Sequence, residues 1–313
     1  MKHFTKTISL LALVLIMFFA ACSKEKYTLE YKLAKGETYK INVLTDLTMN
    51  QEMMDQDMKI AILMDMKMHY DVTDVQANLI TMNLMYDAVS MDMDMDMGAM
   101  GATKMSFNSN TEETVATSEN MSAMFKAMTG IPVEMKISKQ GKVESVSGFD
   151  KIFTTMLATF AEDVDEQVKI QTEEMLKQQF NNESAKSMFQ QISAYFPEKP
   201  IGIGEDWKVS MDIKTGQFSL KSDMDMTLKS VEENIATLEV SGSISTPEDG
   251  IVQEIQGMET KTSMKGTQQG TIKIDINTGW PVNSEISQNL EGKTEVMGIK
   301  IPLTYVSKIT MKN

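Results

Sequence analysis

The residue types best suited to binding a metal ion lie in SMDMDMDMGAMGATKM, residues 90–105. Methionine and aspartate alternate through its first half, so thioether and carboxylate donors each recur at every second position. The pattern D-x-D-x-D-x-G from Asp92 to Gly98 is similar to a calcium-binding loop, which requires glycine at loop position six and glutamate at position twelve. Here Met97 and Thr103 occupy those positions. On a strand the three carboxylates would stand about 7 Å apart in a row, too far apart for one ion to bind all of them.

Thioether coordination of Cu(I) is the other chemistry open to this stretch, because methionine-rich sites suit soft copper. The candidate segments are residues 49–58 and 97–105, and neither has a histidine or cysteine beside it. Methionine makes up 31 of the 313 residues and also stands at the inward phase of other predicted strands, where it is an adaptable apolar side chain. We therefore predict that residues 90–97 form a strand and bind no metal or cofactor. The side chains predicted to face the core are Met91, Met93, Met95 and Met97.

Catalytic residues are scarce in this chain. The serine-hydrolase motif G-x-S-x-G and the phosphate-binding loop do not occur. His69 lies on the polar face of a predicted strand, between Asp65 and Asp71, and is predicted to be solvated. Trp207 and Trp280 stand beside turn glycines, so we predict packed positions for them rather than sugar stacking. The 44 acidic residues leave a carboxylate pair for hydrolysis of envelope glycans open, but the chain is not predicted to be an enzyme.

The N-terminus carries a secretory signal. In MKHFTKTISLLALVLIMFFAAC, two lysines precede an apolar run from Ile8 to Phe19, which is too short to span a membrane. Ala20, Ala21 and Cys22 follow and resemble the lipobox of bacterial lipoproteins, although Phe19 replaces the usual leucine. This resemblance implies signal cleavage after Ala21 and lipid attachment, palmitate included, at Cys22, the only cysteine. Ordinary secretion with a free thiol is the alternative.

The charge and the residues after Cys22 bear on location and partners. Ser23 stands where aspartate would favour the inner membrane, so we predict an outer-membrane lipid anchor. The segment SKEKY lacks an acidic tract of the kind that directs some lipoproteins to the cell surface, which favours the periplasmic face and leaves surface exposure open. With a formal charge of −14 and no arginine, the chain is not predicted to bind nucleic acid. The predicted partners are the membrane, through the lipid, and an apolar ligand or an envelope protein.

Alternating apolar residues predict long strands over most of the chain. The alternation is unbroken from Met58 to Val72, and a change of phase near Ala88 predicts a β-bulge. The period becomes helical from Phe149 to Tyr195 and returns to strands afterwards. The predicted fold is therefore mainly β (α+β), with long antiparallel meanders in one or two curved sheets and a helical segment between two weakly similar halves. The predicted boundaries are a signal peptide at 1–21, a lipidated tether at 22–34, an N-terminal β half at 35–148, a helical segment at 149–196 and a C-terminal β half at 197–313.

The helical segment begins with a broad apolar stripe that needs a surface to cover it. Its residues are Phe149, Ile152, Phe153, Met156, Leu157 and Phe160. The methionine-rich strand faces on either side of it in sequence are the expected partners.

Three segments carry a family resemblance: YKLAKGETYKINV, YFPEKPIGIGEDWKV and DINTGWPVNSEISQNL. They resemble the opening, central and C-terminal signatures of a family of uncharacterised bacterial outer-membrane lipoproteins, a domain of unknown function. The resemblance spans essentially the whole mature chain and implies an envelope location and a β-rich fold, without an activity. We therefore expect a membrane-anchored, non-enzymatic binding module for an apolar ligand or an envelope partner. The alternatives are a glycan hydrolase with a carboxylate pair and a methionine-rich copper-binding protein.

Overall fold

The computed structural model describes residues 25–53, 56–110, 119–160, 170, 181–193, 195–215, 218–255 and 258–313. The predicted signal peptide and Cys22 lie outside these ranges. The strands are β1 (Lys26–Tyr27), β2 (Thr38–Met53), β3 (Gln56–Val75), β4 (Leu79–Asp96), β5 (Ala102–Asn108), β6 (Val133–Ser138), β7 (Val143–Ser147), β8 (Ile201–Gly202), β9 (Asp206–Thr215), β10 (Phe218–Glu232), β11 (Ile235–Ser245), β12 (Ile251–Ile255), β13 (Met258–Asp275), β14 (Pro281–Val296) and β15 (Ile299–Lys312). The helices are α1 (Glu119–Met128), α2 (Phe149–Phe160) and α3 (Asn182–Ile192), with a 3-10 turn at Gly98–Met100. None of the described helices has the length and apolar content needed to cross a membrane.

One large antiparallel sheet contains nearly all of the strands. Its order is β7-β6-β4-β3-β2-β15-β14-β13-β11-β10-β9, with β5 alongside β4 and β12 alongside β13. Strands β1 and β8 form a separate two-stranded sheet. The predicted fold class, mainly β with long antiparallel meanders and a helical segment between two halves, is therefore confirmed.

The two halves of the chain follow the same strand order. The meander β2-β3-β4-β6-β7 corresponds to β9-β10-β11-β13-β14. Each meander opens with the same turn, in which Gly36 N donates to Val72 O (2.9 Å) and Gly204 N donates to Leu228 O (2.7 Å). Both glycines have a positive φ, 87° and 84°, which favours glycine over residues with a side chain. The two weakly similar halves thus open with equivalent local structures.

The sheet curls, and its inner face holds the core. Val43 and Met68 from the N-terminal half and Leu228 and Leu238 from the C-terminal half are at most 2% exposed and belong to one hydrophobic cluster. Because successive side chains of a strand point to opposite faces, the residues between these positions face outward. The alternation seen in the sequence thus separates the core from the solvent.

The predicted β-bulge lies in β4. Met66 is opposite Val89, whereas Met68 is opposite Tyr86, so β4 has one extra residue between these two pairs. The extra residue returns Val89 to the inner face, where it is 1% exposed. The change of phase near Ala88 therefore had the predicted structural cause.

The two halves meet at two seams, which are built differently. At the strand seam, β15 lies between β2 and β14; it pairs with β2 along Leu303–Lys312 and with β14 along Ile299–Lys312. At the helix seam, α3 contacts both edge strands, β7 and β9. The curled sheet is therefore completed by a strand on one side and by a helix on the other.

At the helix seam, two side chains of α3 make hydrogen bonds of the kind that a neighbouring strand would make. Gln190 Oε1 accepts from Val143 N (2.7 Å), and Gln190 Nε2 donates to Gly141 O (3.0 Å). On the other side of the helix, Ser187 Oγ accepts from Lys214 N (2.6 Å). These contacts satisfy backbone groups at the two sheet edges that would otherwise need water or another strand.

The N-terminal segment packs across one end of the curled sheet. Leu29 and Tyr31 are 2% and 3% exposed. Tyr31 N donates to Lys139 O (2.8 Å) in the turn after β6, and Lys32 N donates to Thr278 O (2.8 Å) in the turn before β14. Residues 29–32, from the segment predicted as a tether, thus cover this end of the sheet. We call it the closed end.

The predicted apolar stripe of the helical segment is packed into the protein. Phe149, Ile152, Phe153 and Met156 of α2 are each at most 7% exposed. Leu157 is half-buried, and the side chain of Phe160 lies outside the described part. Burying such side chains stabilises the fold by roughly 1.5–3 kcal/mol each.

Candidate ligand-binding cavity

The aspartates of the Met/Asp run are paired one by one and are not gathered around an ion site. Asp92 Oδ1 accepts from Ser106 Oγ (2.6 Å), and Asp94 Oδ2 lies 2.7 Å from Lys104 Nζ. Among the described residues, no group of three or more His, Cys, Asp or Glu side chains could hold a metal ion. The run therefore has an outer acidic face, on which β5 residues pair with Asp92 and Asp94, and Gly98 N donates to Asp96 Oδ1 (3.0 Å).

The methionines of the run lie on the inner face, as predicted. Met93 is opposite Met105 of β5, and Met91 and Met95 flank it on the same face of β4. All four are half-buried. This contrasts with the same strand nearer the closed end, where Met82 is fully buried.

Met97 is the exception in the run. β4 ends one residue earlier, at Asp96, and the 3-10 turn follows directly. The next residue, Gly98, has φ 61°, so the chain turns directly after Met97 and does not continue β4. The prediction that Met97 faces the core from a strand is therefore wrong.

His69 is paired with carboxylates on the outer face, where the sequence predicted a solvated side chain. Its Nδ1 lies 2.6 Å from Asp87 Oδ1, and its Nε2 lies 3.8 Å from Asp71 Oδ2. The side chain is 22% exposed. The arrangement joins β3 to β4 and presents no nucleophile to the ring.

Both tryptophans are packed, as predicted. Trp280 Nε1 donates to Lys40 O (3.0 Å), and its ring centre lies 5.1 Å from that of Tyr39. Trp207 Nε1 donates to Tyr195 O (3.1 Å). Trp207 thereby ties the residues after α3 to β9.

The carboxyl pKa values that shift are lowered. A hydrogen bond from Gln76 holds the pKa of Asp74 below its usual value, and one from Ser210 does the same for Asp223. A general acid for glycan hydrolysis needs the opposite shift. Neither residue has the property that the hydrolase alternative requires.

A cavity of about 60 Å³ lies beneath α3 on the inner face of the C-terminal half. Its walls come from the residues around the end of α3 and from β9, β10, β11, β13, β14 and β15, and its described lining includes no charged residue. The lining residues are Gln191, Ile192, Ser193, Tyr195, Met211, Ile213, Ser222, Met224, Met226, Val240, Gln268, Ile272, Ile286, Gln288, Ile309 and Met311. A mostly apolar lining with a few convergent polar groups is the composition of small-molecule binding sites, although this cavity is smaller than the roughly 300–1,000 Å³ that such sites usually have.

Three of the lining residues, Ser222, Gln268 and Gln288, form what we call the polar strip. Gln268 Nε2 donates to Ser222 Oγ (2.6 Å), and Gln288 Nε2 donates to Gln268 Oε1 (3.4 Å). Ser222 and Gln268 are 1% and 4% exposed. The strip lies between the main core cluster and a smaller one around Met264 and Leu290.

Sequence reasoning missed the polar strip, although a signal for it existed. In β13 the inward phase reads Met264, Gly266, Gln268, Gly270 and Ile272, so a polar residue stands in an apolar series. A Cβ atom at either glycine would overlap a backbone carbonyl of β14. The two strands can therefore approach closely around Gln268 only because glycine flanks it.

An open groove of about 1000 Å³ lies outside the helix seam. Tyr195 and Met211 line both this groove and the cavity, and Tyr195 Oη donates to Met211 Sδ (3.5 Å). Burial raises the pKa of Tyr195, so its hydroxyl stays protonated at neutral pH. These two side chains form the partition between groove and cavity.

Lys26 of β1 also lines the groove, close to the N-terminal end of the described chain. Its Nζ lies 3.3 Å from Glu205 Oε2. The groove wall carries both signs of charge, in contrast to the uncharged cavity behind it. The groove is therefore suited to water and to charged groups, and the cavity is suited to uncharged ones.

Comparisons with known proteins give a family and distant structural similarity. Residues 77–281 match the family described as Family of unknown function (DUF6263). No curated protein matches the chain.

Among solved structures, the chain is similar to the COG4313 outer membrane channel from Pseudomonas putida F1, at 9% identity, with 90% of this chain and 97% of that chain covered and a TM-score of 0.26. It is also similar to Pseudomonas aeruginosa OccK7 (OpdD), at 5% identity, 88% and 99% coverage and a TM-score of 0.25. Salmonella typhi OmpF in complex with daunomycin matches at 6% identity, 90% and 99% coverage and a TM-score of 0.22. Scores this low carry no argument about fold or function.

Proposed function

Because the chain belongs to DUF6263, a family of unknown function, its membership supplies no activity, and we propose from the geometry that it is a lipid-anchored, non-enzymatic binding module for an apolar ligand. The observation that carries this proposal is the uncharged cavity beneath α3, with its four methionines, Met211, Met224, Met226 and Met311. Thioether side chains are flexible and polarisable, so such walls adapt to varied apolar molecules.

The inner face continues the cavity toward the N-terminal half. One row of residues runs across five neighbouring strands, from β14 through β15, β2 and β3 to β4. Its members, in that order, are Ile286, Ile309, Thr45, Met64 and Met91. The first two line the cavity, and the methionines at the other end are half-buried. A ligand larger than the cavity can therefore lie along this row without leaving an apolar surface.

The groove at the helix seam supports entry from the membrane side. Cys22 precedes Lys26 by four residues, which span at most about 14 Å when fully extended. If Cys22 carries the lipid, the groove edge at Lys26 lies within that reach of the bilayer. We propose the periplasmic face of the outer membrane as the location, on the lipobox and the residues that follow it.

The anchor is tested by metabolic labelling with an alkyne analogue of palmitate. We expect the wild-type chain to be labelled and Cys22→Ser to carry no label, because no other cysteine can form the thioether to a diacylglyceryl group. Ser23→Ala is the matched control and keeps the label. An unlabelled wild type, or a labelled Cys22→Ser variant, contradicts the anchor.

The ligand is tested by filling the cavity. Met224→Trp places a larger side chain in the cavity. The control, Met258→Trp, makes the same substitution outside the cavity, at a position of β13 that is 40% exposed. Mass spectrometry of apolar molecules that co-purify with the full chain from native membranes should show a loss of roughly tenfold in the first variant only. Thermal melting establishes that both variants fold. Equal ligand content in the two variants would contradict the proposed binding module.

A further inference from the structure

Resting on the proposed function, we propose that the cavity selects an uncharged amphiphile. The ligand would place a hydroxyl, ester or amide group in the cavity and its long apolar body along the inner face, and it would not be a fatty-acid anion. This inference concerns the chemistry of the polar strip and adds a ligand class to the apolar binding module.

The strip is organised before any ligand arrives. Gln268 donates through Nε2 to Ser222 Oγ (2.6 Å) and to Ser243 O (3.5 Å), and its Oε1 accepts from Gln288 (3.4 Å). An amide with both N–H groups used and one acceptor site filled is held in one orientation. Gln268 is thus a fixed support, and the groups that can still bind a ligand lie on its neighbours.

One neighbour of Gln268 has hydrogen-bonding capacity left, and so has a buried serine farther along β14. Within the described part of the chain, Gln288 makes one hydrogen bond, through Nε2, which leaves its second N–H and its Oε1 unused. Ser284 is 1% exposed, and its Oγ has no partner among the described residues. Ser284 lies opposite Ile272 on one side and Met311 on the other, and both of these line the cavity. A buried hydroxyl without a partner costs about 1–3 kcal/mol, so a ligand group that pairs with it is favoured.

The unused groups are uncharged, and no lysine is among the described residues that line the cavity. An ionised carboxylate in this position would lose its hydration without gaining a cation from that lining, a penalty of several kcal/mol. A hydroxyl, ester or amide can pair with the Gln288 amide without that penalty. The cavity therefore discriminates against the anion and not against the apolar chain.

A purely apolar ligand is also disfavoured. A cavity of about 60 Å³ with polar groups in its wall has room for about two water molecules. A ligand that displaces such waters without replacing their hydrogen bonds loses affinity. An alkane would leave the unused groups of Gln288 unpaired, whereas a neutral polar group satisfies them.

The test uses photo-cross-linking of the full chain in native membranes. Three diazirine probes of equal chain length are compared, a fatty acid, its monoacylglycerol and an alkane, at pH 8, where the acid is ionised in water. Cleavage after lysine releases residues 222–229, which contain Ser222, Met224 and Met226, and cross-linked mass on this peptide reports occupancy of the cavity. We expect the monoacylglycerol to label it at least about tenfold more than either of the other probes.

Gln288→Leu should reduce this preference to less than about threefold while labelling by the alkane rises. Asn289→Leu, next to it on the outer face, is the matched control and should keep the preference. Equal labelling by acid and monoacylglycerol, or a preference unchanged in Gln288→Leu, overturns the inference and leaves the binding module standing. Labelling by none of the probes overturns both.

Discussion

Between β2 and β14 the curled sheet is completed by a strand, and between β7 and β9 it is completed by a helix. β15 offers backbone donors and acceptors to both neighbours along its length. α3 uses its backbone groups internally, and the side chains of Gln190 and Ser187 make hydrogen bonds to the sheet edges. The helix seam is therefore joined by a few hydrogen bonds and apolar contacts, and the groove and the cavity lie there. The seam with fewer hydrogen bonds is thus the one beside the cavity.

The largest expected difference between the seams comes from proline. Lys308→Pro in β15 removes a ladder donor from a central strand, and we expect a loss on the order of 5 kcal/mol or failure to fold. Lys186→Pro in α3 should cost about 3 kcal/mol in the helix and leave the sheet intact. Urea unfolding and hydrogen exchange separate the two outcomes. If both variants unfold the sheet equally, the seams are not different in strength.

Phe153→Asp tests whether the helices are part of the core that supports the helix seam. Phe153 is 5% exposed on α2, so replacing it leaves a cavity and buries a carboxylate, with an expected loss of about 3–5 kcal/mol. The exposed apolar surface should bind the dye ANS. Thr154→Asp, at an exposed position of the same helix, is the control. A Phe153→Asp variant that melts like wild type and binds no dye would mean that the stripe is not needed for the fold.

Gln190→Ala tests the contact between α3 and β7. The change leaves Val143 N and Gly141 O without their partner, and we expect a loss of about 1–3 kcal/mol. Hydrogen exchange at the Val143 amide should accelerate, whereas exchange in β15 should not change. Gln191→Ala is the neighbouring control, since its Nε2 bonds within the helix, to Ser187 O. Unchanged protection at Val143 would show that the helix seam does not depend on this side chain.

A smaller effect concerns one tyrosine at each seam. Burial raises the pKa of Tyr195 at the helix seam and of Tyr305 in β15. A raised folded-state pKa contributes stability that is complete below the unfolded value near 10 and is lost as the pH rises above it. Above pH 10, each buried tyrosine should then lower the free energy of unfolding by at most about 1.4 kcal/mol per pH unit. Urea midpoints at pH 9 and pH 11 should show a smaller alkaline loss for Tyr195→Phe and for Tyr305→Phe than for wild type. A loss equal to that of wild type in either variant contradicts the role of that tyrosine.

Much of the fold could be predicted because strand alternation is a local property. The run from Met58 to Val72, the phase change before Val89 and the apolar stripe from Phe149 each follow from spacing along the chain. The candidate site could not be predicted in the same way. Gln268, Ser222 and Gln288 are 20 or more residues apart in sequence, and only the pairing of β10, β11, β13 and β14 brings them together.

The sequence by itself determined which face of each strand is apolar, where β4 changes phase and where the helical segment lies, because these depend on periods of 2 and 3.6 residues. It also contains the lipobox-like end at Cys22, on which the predicted location depends. Only the tertiary structure decided that Asp92 and Asp94 pair singly with β5, that His69 is held between two carboxylates, and that a helix closes the second seam. Those outcomes depend on register between distant strands and on how far the sheet curls. Neither is determined by a local pattern, because a shift of two residues keeps both faces of a strand and changes all of its partners.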